Sequence, residues 1–344
     1  MYGKLCWVCY LVIFLALGCK DVTESDLGTY DPTPYELKIP TNYPPIFIPK
    51  GNPLTEKGVQ LGKKLFFDPV ISFNGQFSCA TCHQPQNAFS DTLTFSKGIQ
   101  GHLMAMNTMP LFNIGYYQRY SWTGKINTIE QDIDVTIDEL HNGWESLILK
   151  LNSDKNYPAL FYQAFGVTPI TQDMVEKSLA QYVRSIISFE TRFDSIVSGL
   201  ITPTAMEMRG YELFFTEEGD CFHCHVDPLF TNTGFHNNAL DAMENMHPGF
   251  ESVTGLELDR GKFKVPSLRN LAYTAPYMHD GRFKTLKEVI DFYSEGLQYS
   301  PYADSNMKNV HKGGIQISEE DKAALIAFLL TLTDKKLPEK YASP

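Results

Sequence analysis

The sequence has 344 residues, 43% of them hydrophobic and 20% charged, with a formal net charge of −11. So acidic a chain is a poor partner for nucleic acid and a suitable one for a basic redox protein. Its length leaves room for two domains after removal of an export segment.

At the N-terminus, Lys4 precedes the apolar run Leu5–Leu17, which closes on Gly18-Cys19 and reads as an export signal. The run is shorter than the about 20 apolar residues of a membrane-spanning helix. Gly18-Cys19 also fits a bacterial lipoprotein cleavage site, in which residues 1–19 form the signal and Cys19 carries the lipid. Ala16 stands where such sites usually have leucine, and a plain secretory signal cut nearby is the alternative. The lipoprotein reading predicts a periplasmic protein anchored to a membrane through Cys19. Residues 20–53, rich in Pro, Asp and Thr and without periodicity, are expected to be a tether or wrapping arm.

A first helix is predicted to start at Thr55 as its N-cap, with Gly58 and Gly62 on one face where another helix can approach closely. It leads into Cys79-Ala80-Thr81-Cys82-His83. The pattern C-x-x-C-H attaches c-type haem: two thiols form thioethers to the porphyrin and the adjacent histidine ligates the iron. A second copy, Cys221-Phe222-His223-Cys224-His225, lies far downstream. Paired zinc motifs usually sit about 12 to 20 residues apart, and two local disulfides would leave the histidines unexplained. Two covalent haems, held by Cys79, Cys82 and His83 and by Cys221, Cys224 and His225, are therefore expected. With Cys6 and Cys9 in the signal and Cys19 lipidated, no free thiol remains, as suits an oxidising compartment.

An internal repeat supports two halves. Gly62-Lys63-Lys64-Leu65-Phe66-Phe67 and Gly210-Tyr211-Glu212-Leu213-Phe214-Phe215 each precede a haem motif, the second helix having Pro203 near its first turn. Leu179, Tyr182, Val183 and Ile186, and later Leu325, Phe328, Leu329 and Leu332, follow the helical spacing i, i+3, i+4, i+7. Ser318 and Asp321 are placed as a capping box for the last helix. Strand signals are few. The expected fold is mainly α, with two cytochrome c-like domains, each holding one haem, over residues 54–195 and 196–335.

Further motifs make the chain resemble the bacterial dihaem cytochrome c peroxidases and the related MauG-type dihaem enzymes over roughly residues 50–335. These are Asn107-Thr108-Met109-Pro110-Leu111-Phe112-Asn113, Trp122-Thr123-Gly124-Lys125, Glu139-Leu140 with Trp144, and Thr274-Ala275-Pro276-Tyr277-Met278-His279-Asp280-Gly281. The resemblance implies reduction of hydrogen peroxide to water, with the first haem peroxidatic and the second storing and relaying an electron from a small cytochrome c or cupredoxin. It implies Glu139 as distal general acid–base, although the stretch from Trp122 is about three residues shorter than the family pattern. Gln131 resembles the distal glutamine, and Trp122 the tryptophan placed between the haems, in a Trp-Thr-Gly-Lys context where the family has Trp-Asp-Gly-Arg. His102 lies in the loop where some members carry a histidine that blocks the first iron at rest; an exposed loop histidine is the alternative. Asn107, Thr274 and Pro276 align with a calcium site built from oxygen donors.

Tyr293 falls where classical members have a methionine ligand to the second iron and MauG-type members have tyrosine. Leu286, Val289, Ile290 and Tyr293 keep helical spacing after a cap at Thr285, which turns the tyrosine inward, and Met278 and Met307 are the competing ligands. A tyrosine ligand implies the alternative activity, oxidation of a protein or small molecule through a bis-Fe(IV) state. A third reading is a dihaem electron-transfer cytochrome without catalysis. Members are often dimers, so a homodimer is among the expected assemblies.

Overall fold

The computed structural model describes residues 27–98, 101–141 and 143–342. The signal and Cys19 lie outside them. The chain is mainly helical. The first half contains α1 (Glu56–Phe67), the single turn α2 (Cys79–Cys82), α3 (Ile129–His141), α4 (Trp144–Asn152), α5 (Tyr157–Phe165) and α6 (Gln172–Ser185). A short α7 (Arg192–Val197) leads to α8 (Ala205–Phe214), α9 (Glu251–Thr254), α10 (Leu286–Asp291), α11 (Glu319–Thr331) and α12 (Leu337–Lys340). Among the described residues the strands are two-residue pieces, β1 (Phe235–His236) and β2 (Phe263–Lys264), paired antiparallel.

The two halves repeat one helix pairing, α1 on α6 and α8 on α11. Leu65 and Phe66 are fully buried in the first pair, Leu213 and Phe214 in the second. Both pairs close on a glycine. A Cβ on Gly62 would lie 1.9 Å from the Ser178 carbonyl oxygen, and one on Gly210 would lie 2.0 Å from that of Ala324. Since the obstacle is backbone, only separation of the helices relieves it. Gly210→Ala is therefore expected to cost about 1–3 kcal/mol, read as a lowered Tm, with the haem spectrum kept.

Each pair also ends alike. Asn113 and Asn270, both in the left-handed region (φ 56° and 64°), donate their N–H groups to the carbonyls of Ile186 and Leu332 at 2.8 and 2.9 Å. Thr55 caps α1 and Thr285 caps α10, as the sequence suggests; Thr204 caps α8, so Pro203 stands just before that cap.

The two cores are tied across. Tyr43 and Ile46 of the arm pack with Ile187, Phe189 and Leu229. Leu337 and Tyr341 at the C-terminal end return to the first core, where the Tyr341 hydroxyl donates to the Ser185 carbonyl at 2.9 Å.

Candidate haem and redox site

Each Cys-x-x-Cys-His stretch ends in a backbone reversal that fixes its histidine. After His83 the chain turns at Ala88 and Phe89 (φ 51° and 61°), and the Phe89 carbonyl comes to 2.9 Å from His83 Nδ1. After His225 the turn is at Phe230 (φ 55°), whose carbonyl lies 3.1 Å from His225 Nδ1. Left-handed conformations in bulky residues are strained, and here they serve the same contact twice. A carbonyl only accepts, so Nδ1 carries the proton in both rings and Nε2 is left as a free lone pair for iron. Burial holds both imidazoles neutral at neutral pH, pushing His83 below its ordinary value and His225 down to about 4.

The four cysteines are unpaired, as thioether attachment requires. Zinc fails. Among the described residues the one group of three or more His, Cys, Asp or Glu donors within metal-binding reach is Glu217, Asp220 and His223, and Lys308 Nζ already sits on it. Thioether attachment is the chemistry both stretches fit.

Around the second stretch, Cys221, Cys224 and His225 share a cavity with Tyr293, Met278 and Met307. The α-helix that carries Tyr293 stops at Asp291 and continues as a π-turn over Phe292–Gly296. The wider turn releases the carbonyls of Tyr293 and Ser294, which accept from Ile315 and Gln316 at 3.1 and 2.9 Å. The Tyr293 hydroxyl accepts from Asn238 Nδ2 at 3.0 Å, and the same amide lies 3.7 Å from Met278 Sδ. Two of the three candidate ligands are thus held by one side chain. Burial pushes the Tyr293 phenol up to about 12, against the opposing effect of the Asn238 bond.

The cavity reaches the junction of the halves. Trp122 is buried; its indole Nε1 donates to the Asn107 carbonyl at 2.8 Å, and its own carbonyl accepts from Lys264 N at 2.9 Å. Asn107, Thr274 and Pro276 line the same wall. Asn107 Nδ2 donates to the Leu93 carbonyl at 2.9 Å, and its backbone N–H to His279 at 2.8 Å. The structure thus brings Trp122 and the three residues expected to hold calcium to one cavity.

Helix α3 divides its acids differently. Glu130 forms a bidentate pair with Arg184, both bonds 2.7 Å. Gln131 is exposed, and its Oε1 accepts from Asn127 N at 2.8 Å while its own N–H bonds to Thr128 Oγ1, so the side chain caps the helix start. Glu139 is exposed near the helix end. His102 is exposed in its loop, where its carbonyl accepts from Gly98 N at 2.8 Å.

Sequence reasoning missed Asp132. Its carboxyl is half-buried, has no donor among the described residues, and is pushed up to about 6 by burial. The missed signal was spacing: Asp132, Thr136 and Glu139 stand at i, i+4 and i+7, on one face. A carboxyl raised from 3.8 binds a proton in the folded state that the unfolded state releases, so it lowers stability as pH climbs through 3.8 to about 6. Asp132→Asn is therefore expected to stabilise the protein at pH 7–8 by up to about 3 kcal/mol, with the gain gone near pH 3–4, in urea titrations across pH. Asp304 was missed too; it pairs with His236 at 2.7 Å, and that bond, with the Cys224 sulfur beside the ring, raises the imidazole.

The sequence profile of the family described as di-haem cytochrome c peroxidase matches residues 56–201. The chain is 35% identical over 322 residues to the methylamine utilization protein MauG of Methylorubrum extorquens, covering 92% of this chain and 88% of that protein. It is 29% identical to the cytochrome-c peroxidase IdrP1 of Denitromonas iodatirespirans, covering 87% and 89%. Among solved structures, a MauG-like protein associated with microbial copper homeostasis superposes with a TM-score of 0.79 at 32% identity, covering 88% of this chain and 97% of that one.

Proposed function

The chain belongs to the di-haem cytochrome c peroxidase family, and from that premise we propose a periplasmic peroxidase that reduces hydrogen peroxide with electrons from a small cytochrome c or cupredoxin. The observation that carries this is the pair of attachment stretches, each with its histidine Nδ1 bonded to a phenylalanine carbonyl and Nε2 left for iron. Hydrogen peroxide takes up two electrons and two protons to give two waters, and two covalently bound haems supply the redox chemistry.

The chain's own residues have the remaining tasks. His83 and His225 hold the irons from one side. Glu139 handles the protons, and Gln131 fixes the start of the helix that carries it. Trp122 spans the halves as a stepping stone for electrons. The oxygens of Asn107, Thr274 and Pro276 hold a calcium ion that ties the halves together. Cys19 carries a lipid that anchors the protein in a membrane, and a homodimer is the assembly proposed.

A second reading, favoured by Tyr293 in the second cavity, is a MauG-type oxidase acting on a protein or small molecule. Steady-state oxidation of a reduced donor by peroxide tests the main reading. Wild type is expected to turn over, and Glu139→Gln to lower kcat on the order of 10²- to 10⁴-fold. No turnover in wild type, with the Glu139 variant indistinguishable, would sink it and favour a plain electron-transfer cytochrome.

A further inference from the structure

Lys264, at the end of β2, is 2% exposed and its Nζ has no hydrogen-bond acceptor among the described residues. The ammonium lies 4.6 Å from the centroid of the Phe235 ring and 5.2 Å from that of Tyr117, contacts that supply π-faces and no anion. The side chain lines the cavity that also holds Cys221, Cys224 and His225. A buried, unpaired ammonium is costly, and such groups are found with an anionic partner. Among the described residues none is in hydrogen-bond reach. Asp304, an acid on the same cavity wall, is taken by His236, and the charged neighbour that acts on Lys264 is a second cation, Arg119. Burial, with Arg119 adding to it, pushes the ammonium down to about 8, so it is still charged at neutral pH and its counter-ion has to come from what fills the cavity.

We propose that Lys264 is the counter-ion of a haem carboxylate, its ammonium binding a propionate of the haem attached to Cys221 and Cys224. The inference rests on the dihaem reading above. A c-type haem brings two carboxylates that cannot leave, because the macrocycle is covalently fixed. Lys264 also donates its backbone N–H to the carbonyl of Trp122, so the same residue links the second haem's edge to the tryptophan between the halves. A positive charge at that edge favours the reduced iron, so Lys264 raises the potential of the second haem.

The test is spectroelectrochemical titration of the full haem-loaded protein as wild type, Lys264→Met and Lys264→Arg, with haem content measured by pyridine haemochrome. The second haem of Lys264→Met is expected to reduce at a lower potential than in wild type, the first haem to be unmoved, and Lys264→Arg to restore the wild-type value. An unchanged second potential in Lys264→Met, or a shift confined to the first haem, overturns the proposal. If Lys264→Met does not accumulate, Lys264→Gln, which keeps an amide donor and loses the charge, is read by the same criterion. A wild-type protein without covalent haem would instead overturn the dihaem reading itself, so the two failures are distinguishable.

Discussion

Arg269→Met is expected to destabilise the protein by about 3–5 kcal/mol, the loss that follows when one partner of a buried ion pair is removed. The guanidinium is fully buried and donates to both Asp194 oxygens at 2.9 Å and to the Pro228 carbonyl at 2.9 Å. It also donates to the Tyr43 hydroxyl at 2.5 Å, and lies over the rings of Tyr43, Phe189 and Phe230. It therefore joins the arm, the link between the halves and the turn whose Phe230 carbonyl orients His225. Removing it leaves the half-buried Asp194 carboxylate without its cation, held by the hydrogen bonds of Tyr43 and Thr191. Burial alone would raise that carboxyl, but Arg269 holds it below the ordinary carboxylate range. The stabilisation is present above about pH 4 and is lost as pH falls through the lowered folded value. Urea titrations at neutral and acid pH check both the size and the sign. In Arg269→Met/Asp194→Ala the combined loss should be smaller than the sum of the single losses, because the second change removes the orphaned charge.

Tyr293→Phe is expected to change the second iron without disturbing the fold. The phenol lines the same cavity as Cys221, Cys224 and His225 and is held by Asn238, so a tyrosine ligand needs only loss of its proton to iron. A hard anionic ligand favours the oxidised metal. The variant should lose a His/Tyr low-spin signature in low-temperature electron paramagnetic resonance, and its second haem should reduce at a potential higher by on the order of 0.1 V or more. Spectra identical to wild type would transfer the ligand role to Met278 or Met307.

Much of this site is legible in one dimension because covalent attachment writes itself as local spacing. The two Cys-x-x-Cys-His stretches need no tertiary information, and the glycines at 62 and 210 announce close helix pairs through the repeat around them. The inward turn of Tyr293 also follows from helical spacing, although the π-turn that carries it depends on the later segment at Ile315 and Gln316. What stayed hidden depends on tertiary contacts. The carbonyls that orient His83 and His225 arise from left-handed turns at phenylalanines, which no propensity favours. Asp132 was masked by its neighbour Gln131, which resembles a family residue yet caps the helix. Lys264 and Arg269 look like ordinary surface cations in a sequence, and only the fold makes one an orphan and the other a hub.

The measurement closest to the central claim is anaerobic titration of the fully reduced, haem-loaded protein with hydrogen peroxide, following the two haem absorption bands. A peroxidase in which two haems together deliver the pair of electrons should have both haems oxidised by one equivalent of peroxide per chain. Haems that stay reduced as peroxide is added would contradict the account.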